Sequence, residues 1–339
     1  MSSRQATRIS TCGPLNVTPN ARHQTDRVSA LRANAQGISP ALWNYLTTIM
    51  RDRNGMSEPG KSDHNSLAHA VAAEAPTTRP IVPQERNYYS NALGRIQPYA
   101  CFMPENAERS SRRYPLLILL HGVRGGWRDW GQYTRLARYL ATEELIVVCP
   151  DAGAGWYTNA IDGGERREDD IVQDLLPSLD AVLPLLACPA RAICGLSMGG
   201  FGAVKLALKY RHLFSLAISH SGAFDVTARP GRNPIFGDAD IHASFRRQEN
   251  PAWLAEQALC RPASERPEIL LDCGASDPLI DSNRRFSDHL NFIGYGHTYR
   301  EMPGHHTWPY WNRAFRTALP EIIQAISPGM QRHNSSNSA

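Results

Sequence analysis

Between residues 116 and 301, short apolar runs alternate with stretches whose apolar residues recur every three or four positions. Leu116 to Leu120 is apolar throughout, and Leu145 to Cys149, Ala192 to Cys194 and Leu216 to Ser219 repeat the theme. Glu268 to Gly274 and Thr298 to Glu301 complete the set of predicted strands. Runs without polar alternation mark strands covered on both faces of a sheet. Between them, Trp130, Tyr133, Leu136, Ala137 and Leu140 share one helical face, as do Ile171, Leu175, Leu179 and Val182. Pro177 should bend the second of these helices. Phe201 to Leu208 is a third helix former. Strand and helix in alternation predict an α/β class, a mostly parallel central sheet with helices on both faces.

The flanks read differently. Residues 1–86 lack sustained periodicity and are rich in Asn, Ser, Thr, Pro and Arg, which predicts a largely disordered N-terminal extension. Within it, Leu42, Trp43, Leu46, Ile49 and Met50 would line one face of a short helix at 40–50. Residues 328–339 form a disordered tail, which leaves 87–327 as the folded domain. Inside that domain, residues 225–265 interrupt the rhythm with Pro230, Gly231, Pro234, Gly237 and Pro251, and are expected to form a short cap.

Charge narrows the class of partner. Residues 1–86 carry ten Lys or Arg against six Asp or Glu, whereas the remainder of the 339-residue chain carries twenty-six of each. The folded domain therefore offers no electrostatic case for nucleic acid or acidic membranes. Seven cysteines show no C-x-x-C and no framework spacing, so Cys101, Cys149, Cys194 and Cys273 read as small buried hydrophobes. The first residues lead into no apolar signal core and no run approaches a membrane span, so a cytoplasmic protein is expected. Oligomeric state is not legible.

Candidate chemistry centres on Gly195-Leu196-Ser197-Met198-Gly199, followed by Gly200. The motif joins a strand to a helix with serine at the apex, the pattern of a nucleophile elbow. Side chains at 195 and 199 would collide in so sharp a turn, which gives both glycines a steric reason. A serine nucleophile needs a base held by an acid, in chain order Ser, Asp or Glu, His. Asp277 lies just past the strand 268–274, on the side where open parallel sheets bind ligands, and is the expected acid. Asp272 sits in the strand end itself and reads as structural; Asp281 would cap a helix starting near Ser282. The base must come from the Pro303-Gly304 turn, where His305 and His306 are adjacent and spacing does not choose between them. There is no H-E-x-x-H and no flanking Cys pair, so neither metal nor cofactor is expected. For the developing oxyanion, the N–H of Met198 and that of Val123, in the loop His121 to Gly126, are the assigned donors. Arg124, Trp156 and Phe224 are candidate substrate contacts.

Six segments together resemble the esterase D-like family of α/β-hydrolases. They are Leu119-Leu120-His121-Gly122, Trp156-Tyr157-Thr158, Gly195 to Gly200, Ser219-His220-Ser221-Gly222, Asp272 to Asp277, and Pro303 to Trp308 with Tyr310-Trp311. The resemblance runs from about Leu93 to Pro320. The family includes S-formylglutathione hydrolases, tributyrin-type, feruloyl and acetyl-xylan esterases, and mycolyltransferases. It implies the α/β-hydrolase fold and places the catalytic histidine in Gly-x-His-x-Trp, hence His306; it likewise supports Asp277, Val123 and Met198. Glu165-Arg166-Arg167-Glu168 departs from the family, whose members often carry aromatics there. The implied function is a serine carboxylesterase acting on a small-molecule ester through an acyl-enzyme, losing activity below about pH 6–7 as the base protonates. The alternatives are an acyltransferase or S-formylglutathione hydrolase-like thioesterase, and a non-catalytic binding protein on the same scaffold.

Overall fold

A computed structural model of the chain describes residues 79–186 and 191–327. The helix expected at 40–50, the rest of the N-terminal extension up to residue 78, and the tail 328–339 lie outside the described residues. The first strand begins at Gln84, three residues before the expected domain boundary.

Eight strands form one sheet in the order β1-β2-β4-β3-β5-β6-β9-β10. β1 (Gln84–Ser90) and β2 (Arg95–Phe102) are an antiparallel hairpin, and β2 runs antiparallel to β4 (Ile146–Pro150). From there β3 (Leu116–Leu120), β5 (Arg191–Leu196), β6 (Leu216–His220), β9 (Glu268–Gly274) and β10 (Thr298–Met302) pair in parallel with their neighbours. All residues of β3, β4, β5 and β6 are buried, as their unbroken apolar runs predicted.

Helices cover both faces. On one side Leu176 and Leu179 of α3 (Leu176–Val182), Val204 and Leu208 of α4 (Met198–Lys209), and Phe286 and Leu290 of α7 (Ile280–Phe292) pack on the sheet. On the other, Trp130 of α1 (Asp129–Tyr133), Leu136 of α2 (Leu136–Tyr139) and Trp311, Phe315 and Ile322 of α8 (Trp308–Ile326) do the same.

Two predicted helices differ in form. The expected helix through Trp130 and Leu140 is split into α1 and α2 by Thr134, which is extended at φ −129°, ψ 175°. The Thr134 hydroxyl donates to the Trp130 carbonyl and accepts the Leu136 N–H at 3.1 Å. Such side-chain bonds offer the backbone an alternative to the helix ladder. The expected helix around Pro177 is not simply bent. A single turn Arg167–Asp169 passes through π-helical Asp170–Leu175 into α3, with Pro177 in the first turn of α3. Proline lacks an N–H and crowds the carbonyl four residues back, and the wider π turn accommodates both.

The segment expected as a cap holds a hairpin of β7 (Arg232–Asn233) and β8 (Gly237–Asp238), then α5 (Ala243–Gln248) and α6 (Pro251–Ala258). It is built round Arg246, whose guanidinium donates to the carbonyls of Arg229, Gly231, Phe236 and Gly237. A buried ion cluster fastens it to the sheet domain. Lys205 of α4 is fully enclosed and donates to Glu168, Glu249, Thr158 Oγ1 and the Tyr157 carbonyl at 2.6–2.8 Å. Lys209 joins the same two glutamates. Every proton of the Lys205 ammonium has an acceptor, which is the condition for keeping such a charge away from water.

Candidate active site

Ser197 follows directly on β5 and precedes α4, at φ 55° and ψ −115°. A left-handed backbone at a residue with a side chain is strained, and the surrounding contacts hold it. The Ser197 N–H donates to the His220 carbonyl at 2.9 Å and its carbonyl accepts from Phe201 and Ala223. The two glycines permit the turn. A Cβ on Gly195 would lie 2.4 Å from the Gly199 backbone, and one on Gly199 would lie 2.6 Å from the carbonyl oxygens of Leu120 and His121. Strand β5, helix α4 and the end of β3 therefore meet without side chains between them.

The ends of β9 and β10 deliver the other two groups. Ala275 N–H donates to the Met302 carbonyl at 2.8 Å and Ser276 N–H to the Gly304 carbonyl at 2.9 Å. These bonds stitch the loop carrying Asp277 to the loop carrying His306. His306 Nδ1 is 2.8 Å from one Asp277 oxygen and 3.1 Å from the other, while Nε2 is 3.0 Å from Ser197 Oγ. The expected acid, base and nucleophile thus stand in one hydrogen-bonded row. Ser197 is buried, Asp277 is 2% exposed, and the His306 side chain remains 28% open. Burial alone would push the Asp277 carboxyl up, but hydrogen bonds from His306, the Leu279 N–H and Ser221 outweigh it and hold it below the usual carboxylate value.

The alternatives considered from sequence lie elsewhere. His305 is exposed. Asp272 accepts from His220 Nδ1 at 2.6 Å and from the Tyr310 hydroxyl at 2.8 Å. Asp281 lies inside the first turn of α7, which starts at Ile280, and pairs with Arg284 rather than capping the helix.

The loop after β3 carries the expected oxyanion donor Val123. His121 anchors it from below: Nδ1–H donates to the Gly122 carbonyl at 2.7 Å and Nε2 accepts from the Ala152 N–H at 3.0 Å. That pattern requires a neutral ring, and burial lowers the His121 pKa accordingly. The Tyr157 hydroxyl donates to the His121 carbonyl at 2.9 Å, and Trp130 Nε1 to that of Leu120 at 3.0 Å. Met198 opens α4, so its N–H has no acceptor within the helix.

A cavity of about 460 Å³ opens over Ser197 and His306. Val123, Arg124 and Asp129 line one part of it, and Tyr133, Trp308 and Trp311 another. Arg124, at φ 64°, is therefore beside Ser197. Trp156 and Phe224 are not among the lining residues. Trp156 packs edge-on against Phe201 and Phe236, and Phe224 stacks on Phe286 with ring centroids 4.1 Å apart. Tyr133, read from sequence as a core position of a helix, is instead 57% exposed at the cavity rim, because the break at Thr134 frees it from the helical face. The charged run at 165–168 builds no pocket wall either: Arg167 and Glu168 are buried in ion pairs.

The family model described as "Putative esterase" matches residues 90–322. An esterase of Mycobacterium tuberculosis is 27% identical over 341 positions, covering 89% of this chain and 73% of that protein. An acetyl esterase of Caldicellulosiruptor saccharolyticus is 25% identical, covering 69% of this chain and 95% of its own length. Among solved structures, a fluorophosphonate-binding serine hydrolase of Staphylococcus aureus superposes with a TM-score of 0.65 at 24% identity, covering 72% of this chain and 99% of its own. An S-formylglutathione hydrolase of the same organism gives 0.63 at 24%, covering 72% and 100%, and a ferulic acid esterase 0.62 at 23%, covering 73% and 99%. The chain belongs to this esterase family, has the α/β-hydrolase fold, and is a carboxylic ester hydrolase.

Proposed function

We propose that the chain is a serine carboxylesterase working through an acyl-enzyme, with Ser197 as nucleophile, His306 as base and Asp277 as acid. The unbroken row from Ser197 Oγ through the imidazole to Asp277, at 3.0 and 2.8 Å, carries the reading. Ser197 Oγ attacks the ester carbonyl carbon while His306 Nε2 takes its proton. Asp277 holds Nδ1–H and stabilises the imidazolium that forms. The N–H groups of Val123 and Met198 receive the charge on the carbonyl oxygen; one such donor is worth ~10²–10³ in rate. His306 then returns the proton to the departing alcohol, and water repeats the sequence on the acyl-enzyme to release the acid. No other group is needed, and the reading requires neither metal nor cofactor.

The same residues would serve a thioester, and the S-formylglutathione hydrolase of like fold keeps that substrate class open as a second reading. The five described cysteines are free thiols, four of them buried, as a reducing compartment leaves them, so the enzyme is read as cytoplasmic. Among the described residues no helix is long and apolar enough to cross a membrane.

Labelling with a fluorophosphonate probe tests the nucleophile. The wild type should be labelled and Ser197→Ala should not. Equal labelling, or ester turnover surviving in Ser197→Ala, rules the reading out. A panel of p-nitrophenyl, acetylated-sugar, feruloyl and formylglutathione substrates, with and without an alcohol acceptor, separates esterase, thioesterase and acyltransferase.

A further inference from the structure

Beneath the row of Ser197, His306 and Asp277 lies a second one, buried throughout, that the chemistry above does not use. Its centre is Asp272 in β9, 7% exposed, whose carboxylate is held from two sides. His220 Nδ1 is 2.6 Å from Oδ2, and the Tyr310 hydroxyl donates to Oδ1 at 2.8 Å. Burial and the charge of Asp272 both push the Tyr310 hydroxyl up, so it keeps the proton it donates.

Each end of this second row reaches a residue of the first. On one side, the His220 carbonyl accepts the N–H of Ser197 at 2.9 Å, at the strained backbone of the elbow. On the other, Tyr310 seats the turn 303–307 that carries His306. Its N–H donates to the Thr307 carbonyl at 3.0 Å. Its ring lies against Gly304, where a Cβ would come within 2.5 Å of Cδ2. Further along α8, Arg313 donates to the Pro303 carbonyl. The turn thus rests on Tyr310, and Tyr310 rests on Asp272.

A buried carboxylate is a poor source of stability, since apolar side chains of the same volume avoid its desolvation cost. What charged hydrogen bonds add is direction and a fixed length. We propose that Asp272 is a positioning residue of the esterase: by holding His220 under Ser197 and Tyr310 under the His306 turn, it fixes the separation across which Ser197 and His306 exchange a proton. This rests on the Ser197–His306–Asp277 reading above. Ser197 and His306 come from segments 109 residues apart, and the 3.0 Å between Oγ and Nε2 depends on what joins those segments. The N–H bonds of Ala275 and Ser276 tie the turn to the end of β9; Asp272 ties both to β6, whose last carbonyl holds Ser197.

Tyr310→Phe removes the hydroxyl and keeps the ring on Gly304; Asp272→Asn keeps the shape and removes the charge. Assayed well below each variant's melting midpoint, both should lower kcat roughly 10- to 100-fold, with KM within about twofold. Phosphonylation of Ser197 by the fluorophosphonate probe should slow by a similar factor, because it too needs His306 to take the proton. On an Asp277→Asn background, Tyr310→Phe should add less than about twofold, since an imidazole in the wrong tautomer gains nothing from good placement. A role confined to holding the fold would lower the melting temperature and leave kcat and labelling rate of the folded enzyme at wild-type values; that outcome overturns the proposal. So does additivity with Asp277→Asn, or loss of the fold in both single variants; if Asp272→Asn alone fails to fold, Tyr310→Phe decides. Activity surviving in Ser197→Ala would instead sink the triad reading beneath it, so the two failures are distinguishable.

Discussion

The imidazole of His220 lies 2.6 Å from the carboxylate of Asp272, fully enclosed, and the two residues face each other in register across β6 and β9. This second histidine–aspartate pair has no serine: the far nitrogen of His220 meets Cys194 Sγ at 3.4 Å. Burial alone would strip the ring of its proton, but the attraction of Asp272 and the contact with Cys194 more than offset it. The protonated form is held well above the ordinary value. Because the pKa is raised on folding, the stabilisation is complete below about pH 6.5 and fades as pH climbs toward the folded value.

His220→Asn leaves Asp272 with a buried charge and should cost about 3–5 kcal/mol. Its deficit in melting temperature against the wild type should be largest near pH 6 and shrink toward pH 9. A deficit that grows with pH, measured by differential scanning calorimetry, would mean that the pair is neutral.

The lysine cluster has the opposite pH signature. Burial would raise the Glu168 carboxyl, but Lys205 and Lys209 hold it at about 2. A pKa lowered on folding gives stability that is complete above about pH 4.5 and drains away as pH falls toward that value. Lys205→Met should cost about 3–5 kcal/mol at pH 7, by leaving two glutamates against one lysine, with a smaller deficit at pH 3. Equal deficits at both pH values would contradict the assignment.

Gly199→Ala places a methyl 2.6 Å from two backbone oxygens at the end of β3. Neither oxygen sits on a flexible side chain, so strand and helix must part. Stability should fall by about 1–3 kcal/mol and kcat by ~10²-fold, since Ser197, the proposed nucleophile, moves with the helix. A variant with wild-type melting temperature and turnover would show that the elbow has slack.

Asp277→Asn should fold normally, as its neighbours can be satisfied by an amide, yet lose about 10⁴ in turnover through the wrong imidazole tautomer. Steady-state kinetics on p-nitrophenyl acetate decides it; a loss under tenfold would remove Asp277 from the row.

Arg124 stands in the cavity beside Ser197. Arg124→Asn, a residue that tolerates the φ of 64°, should raise KM for esters with an anionic leaving group or acyl chain roughly 10-fold and leave neutral esters within about twofold. Equal changes for both classes would make Arg124 a loop residue without a part in selection.

Much of this was legible before any coordinates. The buried strands follow from runs such as Leu116 to Leu120, because a strand covered on both faces admits no alternation. Ser197 and Asp277 follow from local signals, a Gly-x-Ser-x-Gly turn and a carboxylate past a strand end. His306 does not: choosing it over His305 needed the family pattern, since both lie in the same turn. What stayed hidden is long-range. The break that leaves Tyr133 at the cavity wall is met from far along the chain, where Asn312 accepts the Arg135 N–H at 2.8 Å, and Phe224 likewise spends its ring on the distant Phe286. The run Glu165 to Glu168 was equally opaque, because Lys205 and Lys209, the partners of Glu168, are about 40 residues away.

The residues round the cavity span Gly122 to Trp311. A ribosome making this enzyme displays Ser197, the proposed nucleophile, more than a hundred residues before it supplies His306 and the Trp311 indole packed on that ring. Until α8 clears the exit tunnel and docks, the nascent chain carries that serine without its proposed base. On the proposed triad, hydrolytic competence arrives with the last layer of the fold, and a shortened product that stops before Pro303 should be inert toward esters.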